Sequence, residues 1–161
     1  QHFESVLTFL ITESCQDDNE EIRKVSGKAA LALIKAQGEE YSNQLLSVLD
    51  IFLNATSGPT SLDTSKNQAV ILLGHLAQYL GDTAQKKLVT AYEKLVELLS
   101  KVSHFVQRTI CKCIPQLAKF FPEKAKQYLT AQFTILRQSK DEKAIKASSF
   151  AVAGLIKCLG M

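Results

Sequence analysis

The chain has no tryptophan, one methionine, three prolines and three histidines, and its apolar residues are dispersed. No apolar run approaches the roughly 18 residues that a membrane-spanning helix needs. The three histidines, His2, His75 and His104, stand far apart. None sits in a His-Glu-x-x-His, Cys-His or Ser-His-Asp context, so hydrolytic and metal-dependent chemistry lack their side chains. A glycine-rich phosphate loop is also missing, and the chain is not expected to be an enzyme or to bind a cofactor or small-molecule substrate. Of the four cysteines, Cys111 and Cys113 point about 200° apart on one helix, a spacing unsuited to zinc. All four are expected to be reduced, small core residues of an intracellular protein. Asn54-Ala-Thr56 matches a glycosylation acceptor only by a pattern that arises often by chance. Apolar residues make up 46% and charged residues 22%, which excludes a disordered chain.

What is present is a repeat. Four segments end alike: Leu-Ile-Lys-Ala-Gln-Gly38, Leu-Ala-Gln-Tyr-Leu-Gly81, Leu-Ala-Lys-Phe-Phe-Pro122 and Leu-Ile-Lys-Cys-Leu-Gly160. Their anchor leucines, Leu33, Leu76, Leu117 and Leu155, are 43, 41 and 38 residues apart. A period near 40 with two helical patterns in each copy predicts an all-α, right-handed α-solenoid of the HEAT or armadillo kind. At about 100° per residue, offsets −11, −7, −4, −3 and +4 from each anchor share its face. They are mostly small or apolar: Ile22, Ser26, Ala29 and Ala30, then Ala69, Leu72, Leu73 and Leu80, then Val106, Ile110, Cys113, Ile114 and Phe121, and last Ala144, Ser148, Ala151, Val152 and Leu159. These positions predict the inward face of the second helix of each pair.

The array is expected to span residues 1–161 as four pairs, about 3–38, 41–81, 83–122 and 123–161. The first helices are predicted over Phe3–Cys15, Tyr41–Phe52, Ala84–Ser100 and Glu123–Gln138. Asp17-Asp-Asn-Glu-Glu21 lacks the glycine and distant glutamate of a calcium loop, and its acids suit the positive end of the next helix. Asn54–Thr64, rich in Ser, Thr, Gly and Pro, predicts one long connection ahead of a helix from about Ser65 to Leu80. Ser103 can cap the helix that follows it, and Pro115 should kink that helix. Most glycines are expected at helix ends, with Gly74 and Gly154 mid-helix at close contacts. The start, Gln-His-Phe-Glu, carries no initiator methionine or leader, and the last pair has no polar cap, so the chain reads as a segment of a longer solenoid.

Charge is unevenly distributed. Residues 1–85 hold 5 Lys/Arg and 11 Asp/Glu, and residues 86–161 hold 14 and 5, so a net +3 conceals −6 and +9. Offsets −9, −5 and +2, opposite the buried face, carry Lys24, Lys28 and Lys35, then Asn67, Ile71 and Gln78, then Arg108, Lys112 and Lys119, then Lys146, Phe150 and Lys157. Eight of these twelve are basic and none is acidic. Stacking would align them into a basic track, interrupted at pair two, able to meet RNA phosphates or an acidic protein surface. Lysine is also a good helix former, and a plainly solvated face is the competing explanation.

Asn19-Glu-Glu-Ile-Arg23, Ser103-His-Phe-Val-Gln-Arg108 and Asp141-Glu-Lys-Ala-Ile-Lys146 each open a second helix and resemble the Asp-x-Val-Arg signature of HEAT repeats. Residues 36–53, 68–80 and 147–160 are similar to the HEAT-repeat middle of the general-control-nonderepressible translational activators. The last third also resembles the related HEAT region of fungal elongation factor three. The resemblance implies a cytoplasmic scaffold that binds ribosomes, through rRNA or ribosomal proteins. It implies an ABC-class partner protein and a stress kinase, engaged through the full-length chain, that phosphorylates initiation factor two during amino-acid starvation. The alternative is another HEAT adaptor, a nuclear transport receptor or phosphatase scaffold, gripping an acidic protein segment. Neither reading involves a membrane.

Overall fold

A computed structural model of the chain describes residues 2–13, 17–54, 60–80 and 85–160. Seven α-helices account for nearly all of them: α1 (His2–Thr12), α2 (Glu20–Asn54), α3 (Thr60–Leu80), α4 (Gln85–Leu98), α5 (His104–Ala118), α6 (Pro122–Gln138) and α7 (Glu142–Leu159). The described residues contain no strand, and the fold is the expected all-α solenoid class. No helix among them is long and apolar enough to cross a membrane. The helices group into two compact units, residues 1–80 and 81–161.

In the first unit α2 packs on α1 and α3. Asn19 opens α2, its side-chain oxygen accepting from the Glu21 N–H at 2.9 Å, while Arg23 donates to the carbonyls of Asp17 and Asp18. Glu20 and Glu21 occupy the first turn, so the acidic cluster is a helix start. Leu7 and Ile11 are fully buried, with Ile34, Leu45, Leu49, Leu72, Leu73 and Leu76. The Ile11 carbonyl, in the last turn of α1, accepts from the buried Ser65 hydroxyl of α3 at 3.0 Å.

The expected break after Gly38 is not a loop. α2 continues through it, and Tyr41 alone leaves helical geometry, at φ −117° and ψ 22°, so two expected helices join across a kink. A Cβ on Gly38 would come within 2.6 Å of the Tyr79 ring. Gly38 is there for close approach between α2 and α3, not as a terminus. The long connection is likewise shorter than expected. Asn54 ends α2 and α3 already begins at Thr60, while the glycosylation triplet's Ala55 and Thr56 lie outside the described residues. Cys15 falls outside them as well.

In the second unit α5 packs on α4 and α7, and α6 on α7. Leu88, Leu95, Val106, Ile110, Ile114, Leu117, Ala151 and Leu155 are fully buried. Tyr92 of α4 meets Phe121 and Tyr128, ring centroids 5.8 and 4.6 Å apart, and the Tyr128 hydroxyl donates to Glu93. Ser103 holds the N-cap position of α5, but its side chain makes no capping bond. Asp141 does cap α7, accepting from the Lys143 N–H at 3.0 Å, and Gly160 closes that helix at φ 67°. Gly160 has the only positive φ among the described residues, whereas Gly27, Gly38, Gly74 and Gly154 all lie within helices. The expectation that glycines mark helix ends is corrected accordingly.

The anchor register holds for Leu76, Leu117 and Leu155, all fully buried, and slips in the first copy. There Ile22 is 43% exposed, Ala29 is exposed, Leu33 is half-buried and Ile34 takes the centre. Cys111 and Cys113 are both buried free thiols, because α7 covers the side of α5 turned away from Cys113.

Leu117→Ala is expected to lower stability by about 2–5 kcal/mol, and Lys119→Ala, on an exposed side chain, by no more than about 0.5 kcal/mol. Equal shifts in denaturant midpoint would contradict this register. A Cβ at Gly154 would lie 2.8 Å from Ile114 Cβ, with the Cys111 carbonyl at 3.0 Å. Gly154→Ala is expected to cost about 1–3 kcal/mol in the same measurement. Complete burial pushes the Cys113 thiol up to about 12 from an ordinary value of 9.0. The raised value favours the neutral folded form, so this contribution is whole below pH 9 and is lost as pH rises towards 12. Stability should fall over that window, and less so in Cys113→Ala, as chemical unfolding at pH 8 and pH 10.5 would show.

Candidate functional site

α5 and α7 are the second helices of their pairs, and small residues let them meet closely. Gly154 of α7 sits against Ile114 and the Cys111 carbonyl of α5. Residue 115 is proline, so the Cys111 carbonyl has no N–H donor one turn on, and it faces the glycine backbone. α5 still runs through Pro115 to Ala118.

This packing decides where the basic residues lie. Arg108 and Lys112 on α5, Lys119 at its C-cap, and Lys146 and Lys157 on α7 are all exposed. The two helices run in the same direction: His104 meets Phe150 near the start of α5, Gly154 meets Ile114 further along, and the Lys119 charge acts on Cys158 towards the end of both. Charges cross between the helices. Burial raises the Cys111 thiol, opposed by Lys157 and then Lys112, while burial raises the Cys158 thiol against Lys119. α5 contains no acidic residue and α7 has only Glu142, in its first turn. Five exposed cations therefore stand on two packed helices that hold one acidic residue between them, in the first turn of α7.

The other three predicted track residues, Lys24, Lys28 and Lys35, are exposed on the first half of α2, in the first unit. In the intervening repeat Ile71 and Gln78 are exposed and Asn67 is half-buried.

The second unit also adds aromatic groups that the periodicity did not reveal as part of this surface. Phe150 reads in sequence as an interruption of the basic row. It is half-buried against His104, ring centroids 5.6 Å apart in an edge-on arrangement. Phe105 is 58% exposed in the first turn of α5, and the Lys119 ammonium lies 4.9 Å from the Phe120 ring centre. The only sequence signal for the first contact is that His104 and Phe150 both lie on second helices of adjacent repeats. Among the described residues no cluster of three or more His, Cys, Asp or Glu side chains could hold a metal ion.

Residues 1–78 match the family described as "Stalled ribosome sensor GCN1, HEAT repeats". The chain is 31% identical over 153 residues, 95% of its length, to the human protein named "Stalled ribosome sensor GCN1". It is 29% identical over 159 residues, 98% of its length, to "eIF-2-alpha kinase activator GCN1" of Dictyostelium discoideum, and 27% identical over 158 residues to "Protein ILITYHIA" of Arabidopsis thaliana. In each case it spans 6% of the relative's length. No solved structure matches the chain.

Proposed function

The chain belongs to the HEAT-repeat region of the stalled ribosome sensor GCN1 family, and on that footing we propose that it is a non-catalytic scaffold segment whose basic face contacts the ribosome. The observation that supports the reading is the pairing of α5 and α7, two acid-poor helices whose exposed side chains include Arg108, Lys112, Lys119, Lys146 and Lys157. Phosphate binding by such a surface needs charge density more than base recognition, and it draws its affinity from counterion release. The names of the relatives, a stalled ribosome sensor and an activator of the initiation factor two kinase, agree with a ribosome-side role. In this reading residues 1–161 form one array of four helical pairs within a longer cytoplasmic solenoid. Its work is to hold that solenoid on the ribosome while initiation factor two is phosphorylated during amino-acid starvation. The kinase and an ABC-class partner are engaged through other parts of the long chain.

Reversing all five residues to Glu is expected to weaken co-sedimentation with ribosomes while leaving the helical circular dichroism signal unchanged, since each side chain is exposed. For every phosphate that the variant no longer neutralises, the slope of log affinity against log salt should flatten by about 0.7–0.9. Reversing Lys24, Lys28 and Lys35 should have a smaller effect, because that half of the chain carries −6. A folded five-site variant that sediments like the wild type at every salt concentration would reduce the surface to a solvated helix face. Binding that survives nuclease but follows acidic protein would transfer it to a protein partner.

A further inference from the structure

The first unit carries a second surface feature. There α1 and the second half of α2 border an open groove of about 490 Å3. Its apolar walls are Phe9 on one side and Val48 and Ile51 on the other. Phe9 is 55% exposed although its neighbours Leu7 and Ile11 already fill the core, and Ile51 is 68% exposed beside the buried Phe52 and Leu53. Neither Phe9 nor Ile51 is consumed by the interior. The hydroxyls of Thr8 and Thr12, which also line the groove, donate to the Glu4 and Thr8 carbonyls at 2.9 Å. Those two residues therefore leave no hydroxyl donor to be satisfied by an occupant.

Charge supplies the second half of the pattern. Glu4 and Glu13 line the same groove, nine positions apart on the α1 side, which is about 13 Å along a helix axis. No basic residue lines the groove, and neither α1 nor residues 42–54 contain Lys or Arg. An apolar trough between two carboxylates, on the half of the chain with net charge −6, has the complement of a specific shape: a short helix with an apolar stripe and cations at both ends.

We propose that this groove docks a basic amphipathic helical segment of a partner protein. Apolar side chains at i, i+3 or i+4, and i+7 would pack between Phe9 and Ile51, and Lys or Arg at each end would face Glu4 and Glu13. This site is independent of the basic face in both location and sign of charge.

The probe is a fluorescently labelled synthetic helix of about 14 residues, with leucines in that stripe and lysines at both ends, titrated against the 161-residue chain. Saturable binding is expected, weakened about tenfold or more by the double change Phe9→Ala and Ile51→Ala. A peptide with glutamates in place of the terminal lysines should bind about tenfold less tightly at low salt, a gap that narrows as salt rises. Glu4→Lys with Glu13→Lys should invert the preference between the two peptides, a readout that general loss of structure cannot produce. Circular dichroism checks that each variant is folded. No binding at millimolar chain, equal affinity for both peptides, or indifference to Phe9 and Ile51 would overturn the proposal. So would self-association of the wild type that Ile51→Ala abolishes, which would assign the groove to a second copy. Disappearance of binding when another helical pair is fused upstream would assign it to stacking within a longer chain.

Discussion

The structure of the second unit depends on how closely α5 and α7 approach each other. Where they touch, Gly154 leaves no room for a methyl group beside Ile114, and the Cys111 carbonyl, deprived of its helical donor by Pro115, occupies the remaining space. Interiors packed to crystal-like density have no slack to absorb such an atom. The same contact shields Cys111 and helps to bury Ala151 and Leu155. In the first unit Gly38 likewise leaves no room for a methyl group beside the Tyr79 ring, within a continuous α2 that departs from helix geometry at Tyr41.

Close approach has an electrostatic consequence. α5 and α7 pack through small and apolar residues, and Arg108, Lys112, Lys119, Lys146 and Lys157 remain exposed on them. Lysines on one helix then act on thiols of the other, as Lys157 does on Cys111 and Lys119 on Cys158. Stability and charge density are thus coupled, although the residues responsible are different. A mutation at Gly154 should disturb the spacing of the basic rows, whereas charge reversal at Lys112 or Lys157 leaves the core intact. The first half of the chain has the opposite balance, a net −6 that includes the exposed Lys24, Lys28 and Lys35, and it carries an apolar trough.

Much of this was legible in advance because a repeat reports itself several times. The leucines at 76, 117 and 155 are fully buried, as their periodicity required. The first copy departs from the pattern. A helical wheel locates an apolar stripe but not its centre, and Ile22 and Ala29 became exposed while Ile34 moved inward. Gly38 was ambiguous for a related reason, since glycine serves both a helix end and a tight crossing, and only the position of Tyr79 separates them. The stretch from Thr60 to Thr64 looked like loop because Thr and Ser are weak helix formers, yet it belongs to α3.

The sequence by itself determined the all-α class, the rhythm of helical pairs, the buried leucines and the charge asymmetry between the two halves. Each of these is a local or periodic property that a chain expresses wherever its helices go. Only the tertiary structure decided that Phe150 meets His104, that the charge of Lys119 acts on Cys158, and that Phe9 and Ile51 stay exposed across one trough. Those outcomes depend on the distance and angle at which helices cross, and these are set by the sizes of interlocking side chains from segments about 40 residues apart.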